Sequence, residues 1–241
     1  MSGAPGTVGI MDTLLIPGLW LDASSWDPVL PPLLAAGLAP RPLTMPGVGA
    51  AASESAGIGI SDWVDAVVAE IDAADGPVVL VGHSGGGNVA WGAADRRPDR
   101  IARVVFVDTI PPHPGGAISE FPVVDGVIPF PGWDHFDDED THDLDNATRA
   151  AALPLTRSVP ARVPTDAIEL TDDARHRVPV TLLMGGLDEP TFRELVAQWG
   201  AYGDEFGAIE DAEVVKLDTA HWPQFSQPDR LSRALVDAIV R

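Results

Sequence analysis

The sequence predicts an α/β protein in which a mainly parallel β-sheet is flanked by helices. Short apolar runs alternate along the chain with helical patterns, as crossover connections between parallel strands require. The chain has 241 residues, of which 45% are hydrophobic, so one well-buried core is expected. No internal repeat divides the chain.

The first predicted elements are bounded by prolines. A buried strand at 13–16 ends at Pro17, and a helix at 24–36 follows with its apolar residues spaced for one face. A second strand at 41–44 ends before Pro46. These elements form the first strand, crossover helix and strand of the predicted sheet.

The remaining elements repeat this alternation. Ser61 caps a helix at 61–71 whose tryptophan, valine and isoleucine residues share one face. The strand at 77–81 is entirely apolar and is followed by a helix at 86–96. Further strands are predicted at 101–107, 178–184 and 213–217, and further helices at 190–199 and 228–240.

The alternation stops between Ile110 and Arg177. Prolines and glycines are frequent there, and negative charge is concentrated in WDHFDDEDTHDLD. A stretch of this length without sheet periodicity is typical of an insertion rather than of a simple loop. We therefore expect residues 111–178 to form a lid on a core made of residues 1–110 and 179–241.

Charge and composition exclude several classes of protein. The formal net charge is −21, from 36 acidic and 15 basic residues, which disfavours binding to nucleic acid or to anionic membranes. No run of eighteen apolar residues is present, and MSGAPGTVGIM lacks the features of a signal peptide. The absence of cysteine excludes disulfides and thiolate sites. We expect a cytoplasmic protein, monomeric or homodimeric, that acts on a small molecule.

The acidic segment also contains histidines, which raises the alternative of a metal site. No histidine pair has i,i+4 spacing and no tight ligand spacing is present, so a solvated acidic loop is the preferred interpretation. No metal and no cofactor are expected. The residues of this alternative site are His113, Asp134, His135, Asp137, Asp138, Glu139, Asp140 and His142.

The motif GHSGGG at 82–87 allows three hypotheses. A flexible hinge is excluded, because the motif joins a buried strand to a helix inside one domain. A dinucleotide-binding loop would use Gly85, Gly87 and Ala90, with Asp108 as the acid that binds a ribose. A nucleophile turn would use Ser84 in G-x-S-x-G, with small residues on either side of a sharp strand-to-helix turn.

Partner residues for a serine favour the nucleophile hypothesis. A serine hydroxyl requires a base, which is itself oriented by an acid. Asp188 follows the strand at 178–184, and His221 lies in the loop after the last strand, both at the edge where Ser84 emerges. Asp108 also ends a strand and is the rival acid. We select Asp188 because its turn is opened by two glycines.

An oxyanion hole is expected beside the nucleophile. One donor is the backbone N–H of Gly85, directly after Ser84. The second donor comes from the loop after the first strand, where Leu19 is preferred and Trp20 is the alternative. Both positions lie at the same predicted edge of the sheet.

With these residues in place, the chain resembles the α/β-hydrolase family over nearly its whole length. The similar segments are LLIPGLWLDASSW, GHSGGG, PDRIARVVFVDT, LLMGGLDEP and AHWPQFSQPDRL. It is most similar to the compact branch with salicylate-type methylesterases and hydroxynitrile lyases. Pro17 and Gly18 stand where many relatives have His-Gly, and Trp222 stands where those lyases place a lysine.

The resemblance implies hydrolysis of an ester or related acyl bond through an acyl-serine. Ser84 attacks, His221 transfers the proton and Asp188 orients the imidazole. A cofactor-free oxygenase or haloperoxidase-like enzyme, and a non-catalytic ligand-binding protein on the same fold, are the alternatives. The residues expected to form an apolar acyl pocket are Trp20, Trp133, Phe136 and Trp222.

Overall fold

A computed structural model describes residues 11–240 of the chain. Of the amino-terminal stretch MSGAPGTVGIM, which is not expected to be a signal peptide, all but Met11 lies outside the described residues. The β-strands are β1 (Asp12–Ile16), β2 (Ala39–Pro42), β3 (Val78–His83), β4 (Ile101–Val107), β5 (Val127–Ile128), β6 (Val159–Pro160), β7 (Val180–Met184) and β8 (Ala212–Lys216). The α-helices are α1 (Leu30–Ala35), α2 (Ala52–Ser55), α3 (Ile60–Ala73), α4 (Gly85–Arg96), α5 (Asp138–Thr141), α6 (Asn146–Ala152), α7 (Glu189–Val196), α8 (Ala201–Ala208), α9 (Pro223–Ser226) and α10 (Pro228–Ile239).

The main sheet has six strands in the order β2-β1-β3-β4-β7-β8, and every pairing is parallel. The predicted fold class is confirmed. Because all six strands run the same way, their carboxyl ends share one edge of the sheet. The loops that follow β1, β3, β4, β7 and β8 therefore converge there.

Two apolar layers cover the sheet, as expected for parallel strands buried on both faces. On one face, Leu80 and Phe106 pack with α3, α4, α7 and α8. On the other face, Val81 and Val105 pack with α10 and with the α1 region. Alternate residues of one strand thus supply the two layers.

A buried ion network fixes α4 against the segment before β7. Arg175 donates to both carboxylate oxygens of Glu205 at 2.8 Å and to Asp95 on α4 at 3.2 Å. Asp95 also accepts from the backbone N–H groups of Thr171 and Asp172. Each buried charge is therefore paired, as burial requires, and the helix that begins at the GHSGGG motif is held in place.

Several predicted boundaries differ from those of the structure. The helix expected at 24–36 consists of a 3-10 helix, Ala23–Val29, followed by α1. Prolines at 28, 31 and 32 lack the N–H groups that one continuous α-helix would need. The strand β2 begins earlier than predicted and contains two prolines, which an edge strand tolerates. The helix α8 was missed by the sequence prediction.

Residues 111–178, called the insertion below, leave the sheet after β4 and return before β7. They contain the small antiparallel pair β5–β6, the short helices α5 and α6, and three 3-10 turns. Leu144 and Ala152 of the insertion form an apolar cluster with Leu21 and Trp222 of the core. Every helix in the described part of the chain falls short of the length and apolar character needed to span a bilayer.

Candidate active site

The turn from β3 to α4 places Ser84 at the carboxyl edge of the sheet. Ser84 has φ 50° and ψ −127°, a strained combination for a residue with a side chain. A Cβ on Gly82 would lie 2.6 Å from the carbonyl oxygen of Gly86, and one on Gly86 would lie 2.5 Å from that of Ile16. Glycine is therefore required two residues on either side of Ser84, as the nucleophile hypothesis assumes.

A chain of two hydrogen bonds leads from Ser84 to a carboxylate. The Oγ of Ser84 lies 2.9 Å from Nε2 of His221. The Nδ1 of His221 lies 2.6 Å from Oδ2 of Asp108. Since a carboxylate only accepts, Nδ1 carries the proton and Nε2 is free to accept from the serine hydroxyl. Ser84 and His221, both selected from the sequence, thus lie in direct contact.

The environment of Asp108 keeps its carboxyl ionised. Burial raises the pKa of Asp108, but the hydrogen bonds from His221 and from the backbone N–H of Gly185 outweigh it and leave the pKa below its usual value. Asp108 lies in the turn after β4 and has a φ of 46°, in the left-handed region. Both of its oxygens are occupied, so it is not free to bind a ribose as the dinucleotide hypothesis requires.

The prediction that Asp188 orients His221 is wrong. Asp188 is the N-cap residue of α7, and its Oδ1 accepts from the backbone N–H of Thr191 at 3.0 Å. Hydrogen bonds from the side chain and from the backbone N–H of Thr191 lower the pKa of Asp188. The sequence contains a signal for this role, because an aspartate with a proline two residues later is typical of a helix start. Asp108, the rival acid, occupies the predicted place.

The two residues expected to supply the oxyanion donors lie against each other. A Cβ on Gly85 would be 3.2 Å from Cγ of Leu19, so the loop after β1 packs directly on the start of α4. Among the described residues, neither the N–H of Leu19 nor that of Gly85 has a hydrogen-bond acceptor. Trp20, the alternative donor, has a φ of 65° and turns its ring into the neighbouring cavity.

The backbone around His221 is held from two sides. His83 donates from Nε2 to the carbonyl of His221 at 2.7 Å, and its burial lowers the pKa of His83 to about 3, so the ring stays neutral. From the insertion, the carbonyl of Asp140 accepts the N–H of His221 at 3.1 Å. Asp143 accepts the N–H of Ala220 through Oδ2 at 3.0 Å. The insertion therefore helps to fix the position of the imidazole.

A cavity of about 190 Å³ opens onto Ser84 and His221. Of the four residues predicted to form an apolar pocket, Trp20, Phe136 and Trp222 line it. Trp133 does not line it but packs behind it, with its ring centroid 5.2 Å from that of Trp222. Four further lining residues belong to the insertion and were not predicted, because its irregular chain gives no periodic signal. These are Ile118, Ser119, Phe121 and Asp140.

The histidines of the insertion are dispersed in the structure. The ring of His113 packs edge-on against Tyr202, and Nδ1 of His142 lies 3.2 Å from the carbonyl of Glu139 in its own turn. Within residues 11–240, no three histidine, aspartate or glutamate side chains are arranged to hold a metal ion. The observed chemistry at the sheet edge is that of a serine, an imidazole and a carboxylate.

Comparison with known protein families shows to which family this chain belongs. The model of the alpha/beta hydrolase family matches residues 13–234, which include every element of the main sheet except the first residue of β1. The chain belongs to the α/β hydrolase family. The resemblance expected from the sequence is confirmed. In this α/β hydrolase, Ser84 stands on the strand-to-helix turn where the fold carries its nucleophile.

Three relatives illustrate the range of this family. The chain is 28% identical to a pimeloyl-[acyl-carrier protein] methyl ester esterase of Aromatoleum aromaticum, over 95% of the chain and 98% of that protein. It is 37% identical to lipase LipV of Mycobacterium tuberculosis over 99 residues, so that match spans only 37% of each protein. An extracellular α/β-hydrolase from a Paenibacillus species shares the fold, with a TM-score of 0.72 and 20% identity over 95% and 98% of the two chains.

Proposed function

We propose that this α/β hydrolase is a serine carboxylic ester hydrolase that cleaves a small-molecule ester through an acyl-serine intermediate. The observation that carries the proposal is the hydrogen-bonded chain from Ser84 through His221 to Asp108. Beside it are the backbone N–H groups of Leu19 and Gly85, for which the described part of the chain offers no acceptor, and it opens onto a cavity with largely aromatic walls. In this proposal these groups supply the nucleophile, the base, the orienting acid and the anion-stabilising donors.

In the proposed first half-reaction, the Oγ of Ser84 attacks the ester carbonyl carbon while Nε2 of His221 takes the hydroxyl proton. Asp108 stabilises the resulting imidazolium and holds its orientation. The N–H groups of Leu19 and Gly85 donate to the oxygen that becomes negative. The C–O bond to the alcohol breaks, the alcohol takes the proton from His221, and Ser84 is left acylated.

Water completes the proposed cycle. His221 removes a proton from a water molecule, whose oxygen attacks the acyl carbon, and the same two N–H groups stabilise the second oxyanion. The bond to Ser84 Oγ then breaks, the serine recovers its proton from His221, and the carboxylic acid leaves. One ester and one water are consumed, and one alcohol and one acid are formed.

The cavity supports a small substrate. Its volume of about 190 Å³ lies below the usual range for drug-sized ligands, and aromatic rings form much of its wall. Five of its lining residues come from the insertion, so we propose that the insertion acts as the lid of the site. The two curated relatives are named as esterase and lipase, which agrees with the same reaction class.

Labelling with a fluorophosphonate probe tests the proposed nucleophile. We expect covalent addition to Ser84, because only an activated serine attacks phosphorus at a useful rate. Peptide mass spectrometry would locate the adduct, and the rate of p-nitrophenyl acetate hydrolysis would fall in proportion to labelling. Hydrolysis that continues unchanged after complete labelling of Ser84 would refute the proposal.

Asp143 is expected to raise kcat by holding the loop that carries His221. Replacing Asp143→Ala removes the acceptor for the N–H of Ala220, next to His221, and we expect kcat to fall by about tenfold with little change in KM. Asp143→Asn keeps an acceptor oxygen and should restore most of kcat. Steady-state kinetics with p-nitrophenyl acetate measures both variants.

Asp145→Ala provides the matched control for Asp143. Asp145 is also in the insertion and also accepts a backbone N–H, from Thr148, but this bond only caps α6. Both alanine variants should lose some stability, because each removes the acceptor of a backbone N–H. Only the Asp143 variant should lose kcat, and equal loss in both would remove the positioning role.

A further inference from the structure

One charged side chain of the cavity has no part in the proposed reaction. Asp140, on α5 of the insertion, lines the cavity with Ser84 and His221. It also lines a larger adjoining cavity of about 650 Å³ that extends past Asp108 and Leu195. Its backbone carbonyl accepts the N–H of His221, so the main chain of Asp140 is held next to the catalytic imidazole.

The carboxylate of Asp140 has no cation to neutralise it. Among the described residues it forms no ion pair, and neither of the two cavities is lined by a lysine or an arginine. The other charged or titratable groups on these walls are Asp108 and His221, which are paired, His83, which stays neutral, and Asp138, Glu139 and His142. The electrostatic potential around the substrate is therefore negative.

Asp140 is close enough to act on the site. Burial raises the pKa of its carboxyl, His221 lowers it, and Asp108 raises it further, so the three groups interact. Partial burial also means that the charge of Asp140 is less screened by solvent than the exposed carboxylates of the insertion. A charged group on the substrate would therefore interact more strongly with Asp140 than with those exposed carboxylates.

The facing walls of the cavity are aromatic. The ring of Trp20 lies edge-on to Phe121 and Phe136, with centroids 4.7 and 5.8 Å apart, and Phe136 lies 4.7 Å from Trp222. The negative faces of such rings attract cations, and a quaternary ammonium group is the ligand that aromatic walls bind best. An aromatic wall and an unpaired carboxylate together favour a cation and disfavour an anion.

We propose that Asp140 and the aromatic walls select esters that carry an amine cation near the reacting carbonyl and reject esters that carry a carboxylate. The part of this inference that concerns turnover rests on the proposed ester hydrolysis, and the part that concerns binding does not. The small volume of the cavity next to Ser84 restricts the cationic group to about the size of a trimethylammonium.

Three thioacetates with the same S–CH2–CH2 spacing and different charge at the far end test the inference. Acetylthiocholine is cationic, S-(3,3-dimethylbutyl) thioacetate is its neutral isostere, and S-acetyl-3-mercaptopropionate is anionic. At pH 8 and constant ionic strength, we expect kcat/KM to be about tenfold higher for the cation than for the neutral isostere, and lower still for the anion. Released thiol is followed by its reaction with a chromogenic disulfide.

Two variants assign the selectivity to Asp140. Asp140→Asn keeps the backbone carbonyl that holds His221, and we expect the cation-to-neutral ratio of kcat/KM to fall to about threefold or less. Asp134→Asn removes an exposed carboxylate of the same insertion and should keep the full ratio. Each ratio is taken within one variant, so a change in folding or overall rate does not affect it. Equal loss in both variants would assign the effect to the net charge of the protein and overturn the proposal.

Binding separates this inference from the proposed function. With Ser84→Ala, titration calorimetry of the same three compounds should give the same order of affinity without any turnover. If the wild-type protein hydrolyses none of them but the order of affinity holds, the ester hydrolysis is wrong and the charge selectivity stands. If all three are hydrolysed or bound equally, or if the anion is preferred, the charge selectivity is wrong whether or not the enzyme is an esterase.

Discussion

Replacing Ser84→Ala is expected to lower kcat for p-nitrophenyl esters by at least about 10³-fold, and by up to about 10⁶-fold. The variant lacks the only oxygen that lies within hydrogen-bonding distance of Nε2 of His221 in the described structure. The N–H groups of Leu19 and Gly85 remain, so a small residual rate over solution hydrolysis should persist. Steady-state kinetics with p-nitrophenyl acetate, on enzyme free of wild-type contamination, measures the loss.

The fold should survive this substitution. Alanine takes up less space than serine, and the turn is maintained by Gly82 and Gly86 and by the hydrogen bond from Ser84 N–H to Val107. The thermal midpoint should therefore stay close to that of the wild type. Ser61→Ala, at an exposed position of α3, is the matched control and should keep full activity. A Ser84→Ala protein that is folded and retains more than about a tenth of kcat would disprove a nucleophilic serine.

The second large effect concerns the two aspartates. Asp108→Asn is expected to lower kcat by about 10⁴-fold, because an amide that donates toward Nδ1 selects the wrong tautomer of His221. Nε2 would then carry the proton and could not accept one from Ser84. The pH-rate profile at high pH should show partial recovery as hydroxide takes over the role of the base. Comparison of kcat with the wild type from pH 6 to 10 measures both effects.

Asp188→Ala, in contrast, should lower stability and leave kcat nearly unchanged. Its carboxylate caps α7 through Thr191, so we expect a small decrease in the free energy of unfolding and a kcat within about twofold of wild type. Chemical denaturation and steady-state kinetics on the same preparation test this pair of outcomes. If Asp188→Ala loses activity by more than about 10²-fold while Asp108→Asn does not, the acid has been assigned to the wrong residue.

The fold could be predicted because its signals are local. Apolar strands such as β3 and β4 differ in periodicity from helices such as α10, and prolines and glycines mark where each element ends. The parallel order then places every strand's carboxyl end at one edge. The GHSGGG motif could likewise be interpreted, since the turn around Ser84 is a local backbone requirement.

The insertion could not be derived in the same way. Its helices α5 and α6 are too short to show a helical period, and several of its contacts with the core join residues far apart in the chain, such as Asp143 and Ala220. For this reason Asp140 and Phe121 were not recognised as lining residues, whereas Trp133 was assigned to the pocket on its chemistry alone. The positions of such side chains depend on packing between distant segments.

The sequence by itself determined the α/β fold, the turn that carries Ser84 and the loop that carries His221. Only the tertiary structure decided between Asp108 and Asp188. Both follow neighbouring strands at the same edge, and spacing along the chain does not distinguish them. The physical difference is in three dimensions. The carboxylate of Asp108 accepts from His221 and from the backbone N–H of Gly185, whereas the carboxylate of Asp188 accepts from the backbone N–H of Thr191 at the start of α7.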